Sequence, residues 1–247
     1  MRGLLARLSI QIPPFARWIA WKVLSRFLFP SHAASLVMLR NRACCLRTII
    51  DVGAFEGEWT SLVRLVFPGA RVLMVEAQES KAGALRSLVE SGHGDVQLAI
   101  AVAGPKDGQS VNFYEMETGS SVLGELSDVS RTVTTAKVRT LDSIVADLPS
   151  HWGAPDFIKV DVQGYELEVL RGAEAVLSSA RFAMLEVSLI QYNEGAPLLA
   201  EVIAFMDDRD FRVVDIFQEM RRRDGQLIQL DVLFERLPST DEDPLGA

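Results

Sequence analysis

Thr48-Ile49-Ile50-Asp51-Val52-Gly53-Ala54-Phe55-Glu56-Gly57 decides the fold. It reads as a short apolar strand ending at Asp51, a glycine turn, and the start of a helix. After the turn, Trp59, Leu62, Val63 and Val66 fall on one helical face, with Trp59 as core packing. Strand, glycine turn and helix open a nucleotide-type α/β domain, in which a ligand lies against the turn and the helix N-terminus. The glycines stand as G-x-x-x-G behind an acid, which is not the G-x-G-x-x-G of a dinucleotide site. A carboxylate at Asp51 would repel a pyrophosphate but accept from an ammonium. The next strand, Arg71 to Glu76, also ends in an acid, placed to take two ribose hydroxyls. An adenosine with a cationic amino-acid tail fits both carboxylates, so S-adenosylmethionine is the expected cofactor.

Downstream, strand and helix alternate. A helix is expected from Glu56 to Phe67 and a second from Ser80 to Glu90. Val96 to Val102 is almost entirely apolar, the pattern of a strand buried on both faces. Ser110 to Met116 and Thr132 to Arg139 alternate in β fashion around Gly119-Ser120-Ser121, which predicts an inserted hairpin-like region. Asp156 to Asp161 is a further strand, followed by a helix from Tyr165 to Ser178. Phe182 to Val187 is the fifth strand of the alternation, with Glu186 near its end. Pro197 is expected in the first turn of the next helix. Phe211 to Phe217 and Gln229 to Phe234 then pair around a polar turn. The expected fold is a doubly wound, mostly parallel seven-stranded sheet with a C-terminal antiparallel hairpin.

Composition narrows the functional classes. The chain has 247 residues, 49% of them hydrophobic, and a net charge of −8, which disfavours a nucleic-acid surface. Its charge is unevenly spread. Residues 1–47 hold eight Arg or Lys and no acid, while 17 basic against 33 acidic residues leave −16 on the other 200. Within this segment Phe15 to Phe29 reads as a basic amphipathic helix. It is either a peripheral anchor on an anionic membrane or a lid packed on the domain. Arg17, Lys22, Arg26 and two prolines interrupt its apolar run, against a membrane span. Three domain segments follow: 1–47, the catalytic domain 48–237, and a polar tail 238–247. Adjacent Cys44 and Cys45 and the lack of a secretory signal point to a cytoplasmic protein, peripheral to the membrane if the anchor reading holds. The three histidines have no metal-site spacing, and no metal residues are assigned.

Three blocks carry a family resemblance. They are Ile50-Asp51-Val52-Gly53-Ala54 with Gly57 and Thr60; Val75-Glu76-Ala77; and Ile158-Lys159-Val160-Asp161-Val162-Gln163-Gly164-Tyr165-Glu166 continuing to Leu170-Arg171-Gly172-Ala173. Ala101-Val102, Gly119-Ser120-Ser121, Thr140-Leu141-Asp142 and Asp231-Val232-Leu233-Phe234 add weaker echoes. The chain resembles the FkbM methyltransferases, a Rossmann-like class I group that uses S-adenosylmethionine. The family usually carries Asn where Phe55 stands and an acid where Gln163 stands. The resemblance implies O-methylation of a small-molecule hydroxyl acceptor, typically a sugar, polyketide or related metabolite.

Candidate cofactor-binding residues are Asp51, Gly53, Ala54, Gly57, Glu76, Ala77, Ala101, Val102, Ser121 and Asp161. Glu76 is the ribose ligand; Ala101 and Val102 border the adenine. The candidate catalytic residues are Asp161 and Glu186, each at a strand end. Asp161 holds the cofactor's amino group, acts as base, or caps the following helix. Lys159, mid-strand, is expected in an ion pair. An NAD-dependent oxidoreductase and a non-catalytic relative that keeps the fold are the competing readings.

Overall fold

The computed structural model describes residues 31–42, 45–92, 94–116, 119–124 and 131–237. The expected helix Phe15 to Phe29 and the polar tail lie outside these residues. In chain order the elements are α1 (His32–Asn41), β1 (Thr48–Val52), α2 (Glu58–Val66), β2 (Arg71–Glu76), α3 (Ala82–Ser91), β3 (Val96–Ile100), β4 (Val102–Ala103), β5 (Ser110–Glu115) and β6 (Thr132–Arg139). There follow α4 (Leu141–Ala146), β7 (Phe157–Val160), α5 (Glu166–Arg171), α6 (Glu174–Ser179), β8 (Phe182–Ser188), α7 (Leu199–Asp207), β9 (Phe211–Arg221) and β10 (Leu227–Arg236).

Seven strands form one sheet in the order β3-β2-β1-β7-β8-β10-β9. The pairs from β3 through β8 are parallel, and β10 enters antiparallel between β8 and β9. Every residue of β1 is buried, because helices cover the sheet on both sides. Alternate residues feed the two cores. Ile49 packs with Leu36 and Leu39 of α1, Trp59 and Val63 of α2, and Leu85 of α3. Ile50 and Val52 pack with Leu170 of α5, Leu177 of α6 and Met206 of α7 on the other face. Burying a Leu or Ile side chain contributes about 1.5–3 kcal/mol, so these two layers dominate the stabilisation.

A three-stranded sheet, β4-β6-β5, stands beside the main one. Its β5 and β6 pair antiparallel, Ser110 with Lys137 through Glu115 with Thr132. Tyr114 also pairs with Ser121, which folds the Gly119-Ser120-Ser121 stretch back over β5.

Three sequence expectations need correction, and one helix was missed. Val96 to Val102 is not one strand buried on both faces. β3 stops at Ile100, is only half-buried because it is the sheet's edge, and β4 belongs to the smaller sheet. The helix expected from Tyr165 to Ser178 is two, because the Asp142 carboxylate accepts the Ala175 and Val176 N–H groups (both 3.0 Å) and starts α6 anew. Pro197 precedes α7 rather than sitting in its first turn; Glu201 accepts the Leu198 N–H at 2.9 Å to define that start. Finally, α4 was not anticipated, although Thr140 caps it by accepting from the Ser143 N–H.

Of the segment 1–47, α1 is the described helix. Ser31 caps it, and Leu36 and Leu39 anchor it to the body. Among the described residues no helix is long and apolar enough to cross a membrane.

Candidate functional site

The parallel strands β1, β2 and β7 end at one edge of the sheet, where a cavity of about 800 Å³ opens. That volume lies within the 300–1,000 Å³ typical of small-molecule sites. On the β1–β2 side it is lined by Gly53, Ala54, Phe55, Glu76 and Ala77. Ala101 and Val102 border it after β3, and Ser121 approaches from the hairpin region. Asp161 and Glu186 complete the wall at the ends of β7 and β8.

Gly53 shows why the turn needs glycine. Its φ is +78°, and a Cβ there would lie 1.8 Å from the Asp161 carbonyl oxygen. Gly57 is also left-handed, but it faces Leu88 of α3 and does not line the cavity. Its role is to let α2 and α3 meet, which corrects the expectation of direct cofactor contact.

Glu76 is held by the loop that it faces. One carboxylate oxygen accepts the Phe55 N–H at 2.7 Å and the other accepts the Gln78 N–H at 2.8 Å. Burial pushes its carboxyl above the ordinary value, while hydrogen bonds from the backbones of Gln78, Phe55 and Ala77 oppose the rise. The carboxylate faces the cavity and keeps acceptor capacity for a ligand hydroxyl.

Asp51 corrects another expectation. It is fully buried, does not line the cavity, and meets an ammonium of its own chain rather than a ligand's. Lys159 Nζ lies 3.1 Å from Asp51 Oδ1 and 3.3 Å from Asp161 Oδ2, and donates to the Gly53 carbonyl at 3.2 Å. Thr60 donates to the other Asp51 oxygen at 2.7 Å. Burial opposes the charge on Lys159, but Asp51 and Asp161 together lift its pKa above the ordinary lysine value. Two carboxylates and one ammonium leave this cluster with one net negative charge.

Asp161 does not cap the following helix, so that alternative is removed. No side chain caps α5 at Tyr165. Glu166 instead turns back, and its Oε1 accepts both the Val162 N–H (3.1 Å) and the Gly164 N–H (3.0 Å). Burial pushes the Glu166 carboxyl up to about 7, against those backbone bonds.

Gln163 links the two catalytic candidates. Its amide Nε2 donates to Glu186 Oε2 at 2.8 Å and reaches Asp161 Oδ1 at 3.4 Å. Burial, then the charges of Asp161, Glu166 and Asp231, push Glu186 well above the usual carboxylate range. Ser121 closes this side by donating to the Gln163 carbonyl at 2.9 Å. Phe55 (φ 51°) and Gln163 (φ 57°) both adopt left-handed backbone, where Asn and Asp are the favoured non-glycine residues. The two departures from the family pattern thus fall where backbone geometry favours the usual residue.

The cavity also holds residues that no motif marked. Tyr192 and Asn193 line it from the β8–α7 connection, Gln218 and Met220 from β9, Gln229 from β10, and His32 from α1. They come from distant segments, so no local spacing could announce them.

A parallel sheet with one antiparallel strand next to its edge, and a ligand cavity beyond the ends of β1 and β2, defines a Rossmann-like class I methyltransferase fold. A family model described as the methyltransferase FkbM domain matches residues 51–213. The chain belongs to that family.

Among solved structures, methyltransferase FkbM from Methylobacillus flagellatus KT is similar at 18% identity and TM-score 0.46, over 77% of this chain and 43% of that one. Magnesium protoporphyrin IX methyltransferase from Synechocystis PCC 6803, with bound SAM, is 12% identical over 83% of this chain and 80% of its own, with TM-score 0.48. The 1,6-didemethyltoxoflavin-N1-methyltransferase from Burkholderia thailandensis, with bound 1,6-didemethyltoxoflavin and S-adenosylhomocysteine, is 12% identical over 90% and 86%, with TM-score 0.46. This chain therefore spans less than half the length of the first of them. No curated protein sequence matches the chain significantly.

Proposed function

We propose that the protein transfers the methyl group of S-adenosylmethionine to a hydroxyl of a small acceptor such as a sugar or polyketide. One observation carries the reading: Glu76 and Asp161 face one cavity from strands on either side of β1. Two strand spacings separate them by about 10 Å, a span that lets a ligand lie across the β1 turn with its ribose at one end and its amino acid at the other. Glu76 accepts from the two ribose hydroxyls. The net negative cluster of Asp51, Lys159 and Asp161 balances the ammonium of the amino-acid tail, with Asp161 as its direct partner. Ala101 and Val102 border the adenine, and Gly53 admits the ligand against the backbone.

When bound, the cofactor supplies a methyl made electrophilic by its sulfonium, so the protein contributes orientation and proton handling. Burial, then the charges of Asp161, Glu166 and Asp231, favour the protonated form of Glu186, in which it can donate a hydrogen bond to the acceptor. The opposing oxidoreductase reading would bring a pyrophosphate to the acidic turn of β1.

Calorimetry tests the choice: S-adenosylmethionine should bind and NAD should not, and the reverse would overturn the reading. Asp161→Asn then separates the roles of that residue. Cofactor affinity falling together with turnover marks it as the ammonium partner. Intact affinity with turnover reduced tenfold or more, on the order expected for loss of an acid–base group, marks it as the base.

A further inference from the structure

The cofactor reading uses only half of the cavity. Beyond Asp161 the lining continues across β8, β10 and β9 through Glu186, Gln229, Gln218 and Met220, and α1 closes it with His32. His32 is not held there by helix capping, which falls to Ser31. Instead His32 Nε2 lies 2.6 Å from Asp231 Oδ2 of β10, with side chains 20% and 15% exposed. The Phe217 ring lies alongside, 6.2 Å between centroids. A ring nitrogen this close to a carboxylate carries the proton and donates, which leaves the lone pair on Nδ1. Among the described residues no hydrogen bond occupies Nδ1.

Asp231 is also the ladder partner of Glu186, so the two carboxyls rise from one face of the sheet at neighbouring strands. Three acids in a row, Asp161, Glu186 and Asp231, thus run across β7, β8 and β10, with Lys159 at one end and His32 at the other. Asp161 is engaged by Lys159 and Gln163, and Glu186 accepts from Gln163, whereas the described residues leave His32 Nδ1 open.

We propose that His32, oriented by Asp231, is the catalytic residue that takes the proton from the acceptor hydroxyl. The proposal rests on the S-adenosylmethionine reading. In the step the acceptor oxygen forms the bond to the methyl carbon as the sulfur–carbon bond breaks. That electron pair stays on sulfur as a neutral thioether, and the hydroxyl proton passes to Nδ1. The imidazolium then faces Asp231, which offsets its charge.

The test needs no knowledge of the acceptor. A base that reaches an oxygen in line with the methyl stands about 6 Å from the sulfonium, two contact lengths of about 3 Å each. The cavity-lining charged groups on this side are Lys159 of β7 and Asp161 just past it, Glu186 from β8, and Glu58 from the first turn of α2, with Asp231 of β10 on the ring itself. All are common to both complexes, so the difference between S-adenosylmethionine and S-adenosylhomocysteine isolates the sulfonium. NMR of the full-length protein would follow its three histidines through a pH titration in each complex, with His32→Gln identifying the signal by its loss. His32 should titrate about one pH unit lower with S-adenosylmethionine, because the sulfonium opposes the imidazolium across a partly screened gap. Asp231→Leu, which removes the acceptor from Nε2, should relax the preference for the Nε2–H tautomer in both complexes, read from the ring nitrogen shifts. Titration of His32 at the same pH with both ligands, each shown to be bound by calorimetry, would overturn the proposal. So would a ring tautomer unmoved by Asp231→Leu. Failure of both ligands to bind would instead defeat the cofactor reading, and this inference with it.

Discussion

Lys159→Met removes a cation from the middle of the sheet while keeping a side chain of similar length. Its ammonium lies 3.1 Å from Asp51 and 3.3 Å from Asp161, and only 5% of the side chain is exposed. Asp161 is one-third exposed, so water can replace the lost partner there. Asp51 has no exposure, and among the described residues its charge after the substitution keeps only the Thr60 hydroxyl. Removing one member of a buried pair costs about 3–5 kcal/mol, chiefly from the stranded charge. For a folded body of this size each kcal/mol moves Tm by about 2–4 °C, so a fall of roughly 6–20 °C is expected. The pair raises the lysine's folded pKa, so its stabilisation is fully present at neutral pH and is lost only as pH climbs through that raised value. Urea and thermal unfolding near neutral pH therefore read the full effect. Adding Asp51→Asn should recover part of the loss, because the amide oxygen still accepts from Thr60. A single-mutant loss below about 1 kcal/mol, the scale of an exposed pair, would refute the reasoning. A double mutant no more stable than the single would refute it equally.

Glu76→Ala should leave the protein folded and weaken S-adenosylmethionine binding by about 1–3 kcal/mol, read by calorimetry; unchanged affinity would remove Glu76 from the ribose site. Glu166 offers a pH test. Its folded pKa is raised from 4.5 to about 7, so the native state holds the proton more tightly and stability falls as pH rises across that window. Glu166→Gln should flatten this slope in denaturation curves and keep its stability near neutral pH, since both backbone bonds go to a single oxygen that glutamine retains. Glu166→Ala, with both N–H groups stranded, should lose about 1–3 kcal/mol; equal stability of the two variants would show the bonds to be immaterial.

Strand positions were readable where local pattern decides them. β2 and β6 fall at Arg71–Glu76 and Thr132–Arg139, as their apolar and alternating runs predict. The errors share a different cause. β3 is apolar like a central strand yet lies at the sheet's edge, and strand order is a property of the whole chain. The break before α6 comes from Asp142, more than thirty residues earlier, and no local signal records that cap. The site divides in the same way. Gly53, Glu76 and Asp161 stand at strand ends within motifs, whereas Asn193, Gln229 and His32 reach the cavity only through tertiary packing. Lys159 was legible as an ion-pair residue, but its double engagement with Asp51 and Asp161 required the register of β1 against β7.

The bond from the Phe55 N–H to Glu76 comes from the main chain, so any residue except proline could supply it. The bond that ties the loop to Glu76 is thereby independent of the side chain at position 55. The phenyl ring lines the cavity, with the Lys81 ammonium 4.1 Å from its centroid. Position 55 is therefore a place where selection can resize the entrance without dismantling the turn. The left-handed backbone sets a toll of about 1–3 kcal/mol on bulky choices. The side chain at this position therefore shapes what the cavity admits, while the bond beneath it does not depend on which side chain that is.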